Sequence, residues 1–553
     1  MKSGPIFLAF CLLSITLMSQ TIPFNTSPDW TSTANGHRAT GLGLADINND
    51  GWKDLVVANG NDMARQRLVV YYNNQDGTFP LDPDWQSGDI DYHGHLSCGD
   101  IDQDGDIDVA VSVYIGAAGF SEPGKVKVYY NTGNELESMP SFVSEAYYNF
   151  SCALGDADGD GDLDLVTTGG EPYSELLDYG KIFLNNNGTF QTSPEWESDI
   201  QMGSLDVEFG DINRDGLMDV IFVCEGTDSY IYAGLPQGGI STSPAWHSSE
   251  STSFINSVEI GYRGDHEALV VMTENSQLGG QGKVRRYLFD GALPASSTAD
   301  WYSGSFGYGS GIFLADVDLD STLDLIYGGW WLPVKVALGH PDGFEMISSY
   351  TSSTGSVVET IQMTDLGRES VQDKVAIIII EPEEDGIHTL VLSDQVVENI
   401  LSVSINGVDL DISQYCTVPN KNWVSIGQEL QAQDVVVVQY QYSPHPDMVV
   451  TNWDNNIGNY IFYNTNPPVG IPEQAGSPRK LSVFPNPARD VINLQISGPL
   501  PGTRIMISDP AGRIITDCSI IPGTADYRID ISSLGSGIYF IRTGSLTARF
   551  IKH

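Results

Sequence analysis

Asp156-Ala157-Asp158-Gly159-Asp160-Gly161-Asp162-Leu163-Asp164-Leu165-Val166-Thr167 sets a loop and a strand side by side. Carboxylates stand at positions 1, 3, 5 and 9 of the loop (Asp156, Asp158, Asp160, Asp164), with Gly161 at position 6. Alternate side chains of a tight loop converge on one point, and a hard cation such as Ca²⁺ takes six to eight oxygens at about 2.3–2.6 Å. Glycine at position 6 permits the sharp turn, and the carbonyl of Asp162 at position 7 adds an oxygen. Leu165, Val166 and Thr167 then continue as a short apolar run suited to a buried strand.

The same cassette recurs along the chain. It reads Asp46, Asn48, Asp50, Gly51, Asp54, then Asp100, Asp102, Asp104, Gly105, Asp108, and later Asp211, Asn213, Asp215, Gly216, Asp219. A further copy has Asp316, Asp318, Asp320 and Asp324, with Ser321 where the others carry glycine. The matching position 7 carbonyls belong to Trp52, Asp106, Leu217 and Thr322. One acidic turn is ordinary solvated surface, but several in register repel themselves unless cations bind. The pattern predicts four to five Ca²⁺ sites. Mg²⁺ fits less well because it keeps its waters and a rigid octahedron.

The strand after the loop marks a longer repeat. It returns at residues 54–57, 108–111, 164–167, 219–222, 268–271, 324–327 and 447–450, mostly 50 to 56 residues apart, with a last spacing of 123. The copies at 268 and 447 have lost the loop pattern. The third repeat offers four short strands, at residues 150–154, 163–167, 181–184 and 188–196. A Ser-Pro-x-Trp signature closes several repeats, as at residues 27–30, 193–196 and 243–246. Four short strands per unit in seven units predict an all-β, seven-bladed β-propeller over residues 20–466, since a ring hides the edges an open array exposes. The last unit stops at residues 463–466 without a fourth strand, and an orphan fourth strand stands at residues 23–30. The N-terminal segment is therefore expected to complete the seventh unit.

The long last spacing holds an insertion, residues 368–444, between the first two strands of unit seven. Runs at 374–380, 400–405 and 435–442 read as strands, and Asn406-Gly407 as a hairpin turn. Residues 467–480 are rich in Pro and Gly and read as a linker. Residues 481–553 form a separate strand-rich module, expected to be a β-sandwich.

Lys2 and the apolar residues 6–17 read as a secretory signal over residues 1–19, too short to cross a bilayer. Lys and Arg total 26 against 72 Asp and Glu, a net charge of −46 that opposes nucleic acid as a partner. The six cysteines are widely and irregularly spaced, with neither a disulfide framework nor a zinc motif. Cys98, Cys152 and Cys224 sit in apolar strand patterns, as small buried hydrophobes.

The acidic loops and their strands resemble FG-GAP/VCBS repeats, the calcium-loop propeller family shared with integrin α-chain heads, over about residues 22–466. The resemblance implies structural Ca²⁺ in the named loops and specifies no ligand. Leu481-Ser-Val-Phe-Pro-Asn-Pro-Ala488, Asp509-Pro-Ala-Gly-Arg513 and Leu534-Gly-Ser-Gly-Ile-Tyr-Phe540 resemble a type IX secretion sorting domain. That implies a Bacteroidetes-type exporter as partner and a protein secreted or attached to the outer cell surface. Arg263-Gly264-Asp265 spells the integrin-binding tripeptide, in the degenerate loop of unit five, where chance is the simpler account.

The face opposite the acidic loops gathers His93, His95, Tyr308, Trp330 and Trp331, with His37, Tyr147, Tyr148, Tyr173, Phe306 and Trp453. Aromatic rings there serve either blade packing or a glycan ligand. No Ser/His/Asp order, phosphate loop or dinucleotide fingerprint is present. The favoured reading is a surface binding or adhesion module. The alternative is a lyase-like polysaccharide-active enzyme, for which His93 or Tyr308 would supply the base.

Overall fold

The computed structural model describes residues 22–171, 176–249, 254–276 and 281–466, together with strands between 481 and 552. The signal read at 1–19, the linker at 467–480 and Tyr173 lie outside the described residues. The chain is a β-propeller followed by a small β module. Its repeats fold as antiparallel four-strand meanders: Ala39–Ala45, Asp54–Asn59, Val69–Tyr71 and Trp85–Gln86 in the first, and His93–Gly99, Asp108–Gly116, Gly119–Tyr129 and Phe142–Val143 in the second. The apolar second strand is wholly buried in several repeats, as in Asp54–Asn59, Asp108–Gly116 and Asp219–Cys224.

The third repeat departs from expectation in its outer strand. It runs Cys152–Gly155, Asp164–Thr167, Asp178–Phe183 and Trp196–Met202, so the fourth strand starts at Trp196 rather than ending there. Pro194 has no N–H to give a ladder, so pairing begins after it, with Trp196 opposite Ile182. Tryptophan opens the outer strand again at Trp85–Gln86, Trp246–Ser248 and Trp301–Tyr302.

Those tryptophans join neighbours. Trp85 packs edge-on to Tyr129 of the next repeat at 6.5 Å, Trp196 to Tyr232 at 5.3 Å, Trp246 to Tyr287 at 5.2 Å, and Trp301 to Phe344 at 5.2 Å. Each such pair adds about 0.5–1.5 kcal/mol beyond the area it buries. Trp30 makes the same contact to Tyr71, at 5.9 Å, linking the N-terminal segment to the first repeat.

Tyr350–Thr364 is one continuous strand serving two sheets. Its first half pairs with residues 330–336, and its second half, Val358 to Thr364, with Asp447–Asn452. Tyr460–Phe462 follows, and Trp30–Thr31 pairs beyond it, Trp30 opposite Ile461 and Thr31 opposite Tyr460. The inner strands pack in succession from Ala39–Ala45 around to Val358–Thr364, which packs back against Ala39–Ala45.

The insertion folds as two small sheets. One orders Gln372–Ile379, Val435–Tyr442, Val397–Ile405 and Val408–Asp409; the other orders Thr389–Val391, Trp423–Ile426 and Tyr415–Cys416. Val403, Val424, Val436 and Tyr440 lie in a core of its own. Asn406 (φ +52°) and Gly407 (φ +80°) both take the left-handed conformation a two-residue hairpin requires. Beyond the linker, Leu481–Phe484, Val491–Ile496 and Asp526–Asp530 form one antiparallel sheet, and Ile514–Ser519, Arg504–Ser508, Gly537–Thr543 and Leu546–Lys552 another.

Deleting residues 22–31 strips the outer partner from Tyr460–Phe462 and removes the Trp30–Tyr71 contact. The expected result is a lower melting temperature and self-association on size-exclusion chromatography, because a bare strand edge templates pairing. A deletion variant as monomeric and stable as the parent contradicts this.

Candidate metal centres and ligand face

The acidic loops share one backbone design. In the first, Asp46 accepts the amides of Asp50 (3.1 Å) and Gly51 (2.7 Å), Asn48 accepts Asp50 N (3.0 Å), and Asp50 accepts Trp52 N (3.0 Å). The sixth-repeat loop copies it: Asp316 accepts Asp320 N and Ser321 N, Asp318 accepts Asp320 N, and Asp320 accepts Thr322 N. Position 6 is left-handed throughout, from Gly51 at φ +88° to Ser321 at +72°. Position 4 is left-handed too, at Asn49, Gln103, Gly159, Arg214 and Leu319, a second demand that the sequence reading missed.

The aspartate at position 9 does more than face the loop. Asp54 accepts Ile47 N (2.9 Å) with one oxygen and Asn73 N (2.9 Å) with the other, tying the loop to the end of the third strand. Asp108 does this with Ile101 and Asn131, Asp164 with Ala157 and Asn185, Asp219 with Ile212 and Gly234, and Asp324 with Val317 and Gly339. The seventh repeat keeps the device. Asp447 accepts Leu366 N and Asn464 N, and Asp365 accepts Glu369 N and Ser370 N. Its loop pattern is thus interrupted by the insertion rather than lost. The fifth repeat has an Arg263–Glu267 hairpin in that place, with Arg263 held by Glu267 and by Pro341 O, so the tripeptide's arginine is tied down.

The asparagine after the third strand is a site residue missed in the sequence, though Tyr71-Tyr72-Asn73, Tyr129-Tyr130-Asn131 and Phe183-Leu184-Asn185 display it. Asn131 Nδ2 donates to Ile107 O in its own repeat and to Ile47 O in the preceding loop; Asn185 donates likewise to Leu163 O and Ile101 O. Asn73 reaches Lys53 O and Leu366 O, spanning the first and seventh repeats. The loops of the seventh, first, second and third repeats are therefore stapled in series.

Carboxylate oxygens of Asp100, Asp102 and Asp108 lie within 4.8 Å of one another, as do those of Asp156, Asp158 and Asp164, and of Asp316, Asp318 and Asp320. Burial, then mutual repulsion, pushes these acids up: Asp100 and Asp156 to about 6, Asp54, Asp211 and Asp324 to about 7, and Asp108 and Asp162 to about 8. Asp211 Oδ1, at position 1 of its loop, is buried without a hydrogen-bond partner, and so is Asp162 Oδ1. An orphaned carboxylate oxygen inside an all-oxygen cluster fits a hard cation. Asp46, Asn48, Asp50, Asp54 and their counterparts would hold it, and it would offset their charge; in the fourth loop Arg214 already stands 3.6 Å from Asp211.

The opposite face divides into buried and exposed residues. His93 is fully buried, with Nδ1 2.9 Å from Asn59 O, and burial followed by the Lys127 charge lowers it to about 4. It cannot face a ligand or serve as the base of the enzymatic reading. His95 is turned inward, 3.2 Å from Asp206; burial alone would lower it, but the carboxylate raises it overall. Trp330 is also a correction: it is buried, with Nε1 donating to Glu359 (2.7 Å). Trp331 is 61% exposed and Tyr308 37%, and both rest on a cluster with Trp330 and Trp453 at centroid distances of 5.6–6.4 Å. Trp331 sits at φ +60°, a strained setting for a bulky residue.

Comparison with known proteins finds two families in the chain. FG-GAP-like repeats match residues 23–111 and 175–222, and the secretion system C-terminal sorting domain matches residues 482–553. Integrin alpha-3 of Mus musculus and of Cricetulus griseus are 33% and 36% identical over 116 residues, 18% of this chain. The chain spans about a tenth of the length of these curated relatives. Similar solved structures include BBS1N in complex with ARL6DN (TM-score 0.41, 11% identity, 65% of this chain and 94% of that one) and the Dos1 propeller (0.38, 11%, 72% and 77%). The chain thus carries FG-GAP-like repeats and a sorting domain that indicates export by the type IX machinery, to the cell surface or the extracellular space. No helix among the described residues is long and apolar enough to cross a membrane.

The raised carboxyls set a pH dependence. Their folded-state affinity for protons exceeds that of the unfolded chain, so the stability they contribute is full below about pH 4 and is lost as pH rises through about 6 to 8. In chelator the melting temperature should therefore fall between pH 5 and pH 8. Calcium should flatten that slope and raise the midpoint, because binding stabilises the fold by about 2.7 kcal/mol per site at 100-fold excess over Kd. Thermal scans showing equal slopes with and without calcium would count against metal in these loops.

Proposed function

We propose that this chain is a calcium-stabilised, seven-bladed propeller, secreted or held on the outer cell surface, that binds a glycan through the face opposite its acidic loops. The observation that carries the reading is Trp331. An exposed indole at positive φ, supported from below by Trp330 and Trp453 and flanked by Tyr308, is apolar surface held out at an energetic cost. Strained residues persist where the surrounding structure over-determines them, and they cluster at binding sites. Flat aromatic rings suit the apolar faces of sugars, and the acid excess of the chain disfavours a polyanionic ligand.

The two tryptophans have separable roles. Trp331→Ala should abolish binding on a glycan array in calcium buffer and leave the melting temperature within a degree or two. Trp330→Ala removes a buried ring and its bond to Glu359, and should cost about 3 kcal/mol or more of stability. A wild-type protein that binds no glycan, or a Trp331→Ala variant that binds as well as wild type, rejects the glycan reading and leaves protein–protein adhesion.

The sorting module is separate in function from the ring. Removing residues 482–553 should leave a folded propeller that melts as the parent does but stays within the cell envelope. Normal amounts of the truncated chain at the surface or in the medium would contradict export through this module.

A further inference from the structure

We infer that the insertion belongs to the third acidic loop's metal site: Ser425 positions that loop's first carboxylate, so that the docked insertion and the ion strengthen each other. This rests on the calcium reading above and deepens it.

Ser425 lies on Trp423–Ile426 and is fully buried. Its Oγ donates to Asp156 Oδ2 at 2.7 Å. Asp156 is position 1 of the loop and 2% exposed. Cys416, also from the insertion, donates its thiol to Asp162 O at 3.3 Å, the position 7 carbonyl of the same loop. Gly161 between them meets backbone: a Cβ there would lie 2.7 Å from Gly427. The insertion thus touches the first and seventh positions of one loop and seals its turn. Asp162 Oδ1, in the same loop, is buried and has no hydrogen-bond partner.

The other loops differ. Among the described residues, Asp46, Asp100 and Asp316 accept hydrogen bonds only from amides of their own loops. The first and fourth loops meet the insertion through backbone carbonyls: Gly51 O accepts Arg368 Nη1, and Gly216 O accepts His388 N (3.0 Å) and Thr389 N (2.8 Å).

The Ser425 hydroxyl holds the Asp156 carboxylate in one orientation before an ion arrives, so less freedom is lost on binding. Covering the loop also removes water, and charge–charge attraction strengthens as the local dielectric falls. Both effects make the third site tighter than its neighbours. By linkage, an ion that binds more tightly when the insertion is docked favours docking by the same factor.

The test uses chelator-stripped full-length protein, with Ca²⁺ itself as the probe in calorimetric titration. Ser425→Ala should weaken one class of site by about tenfold, the scale of one hydrogen bond to a charged group, and leave the other classes and the stoichiometry unchanged. Ser425→Thr, which keeps the hydroxyl, should restore most of the loss. Hydrogen exchange on the wild type needs no variant: calcium should slow the amides of residues 414–427 severalfold. Superimposable isotherms for wild type and Ser425→Ala, or exchange of 414–427 indifferent to calcium, overturn the inference while the calcium reading stands. A wild type that binds no calcium removes both.

Discussion

A buried carboxylate at the first residue of the second strand holds each intact repeat together. Asp54, Asp108, Asp164, Asp219, Asp324 and Asp447 each spend one oxygen on the loop and the other on the residue that follows the third strand. Two peptide N–H groups are a modest reward for taking a carboxylate out of water, which costs several kcal/mol per ion. The clamp therefore asks for positive charge close by, and the acids at positions 1, 3 and 5 make that demand greater.

Around that clamp, successive repeats are joined at two radii. Near the acidic face, Asn73, Asn131 and Asn185 bond the loop of the preceding repeat. Further out, Trp30, Trp85, Trp196, Trp246 and Trp301 stack edge-on against the next repeat. Both series run through the junction between the last repeat and the first, by way of Asn73 with Leu366 and Trp30 with Tyr71. Closure thus uses two kinds of contact that also join other repeats, with a few N-terminal residues standing in for a missing strand.

The two faces carry different burdens. The acidic face is partly covered by the insertion, whose Lys421 reaches Glu208 and lies 3.7 Å from Glu259 beside a central cavity of about 140 Å³. The other face leaves aromatic surface open at Trp331 and Tyr308. Covered acidic loops suit a structural role. An open aromatic patch on a rigid ring suits contact with a partner.

Much of this could be read from the chain alone, because repetition multiplies a weak signal. One acidic turn means little, but the same oxygens and glycine before the same apolar strand specify a loop, a strand and a repeating unit. The Ser-Pro-x-Trp signature and the unfinished last repeat pointed to the N-terminal segment as a fourth strand, where Trp30 pairs with Ile461. Tertiary structure alone decided which residues are exposed. Trp330 and Trp331 are neighbours on one strand, yet the first is buried against Glu359 and Trp453 while the second is open. Likewise Ser425 meets Asp156 across 269 residues of chain. Periodicity within a repeat records which side chains face the core, but contacts made by a unique insertion leave no periodic trace.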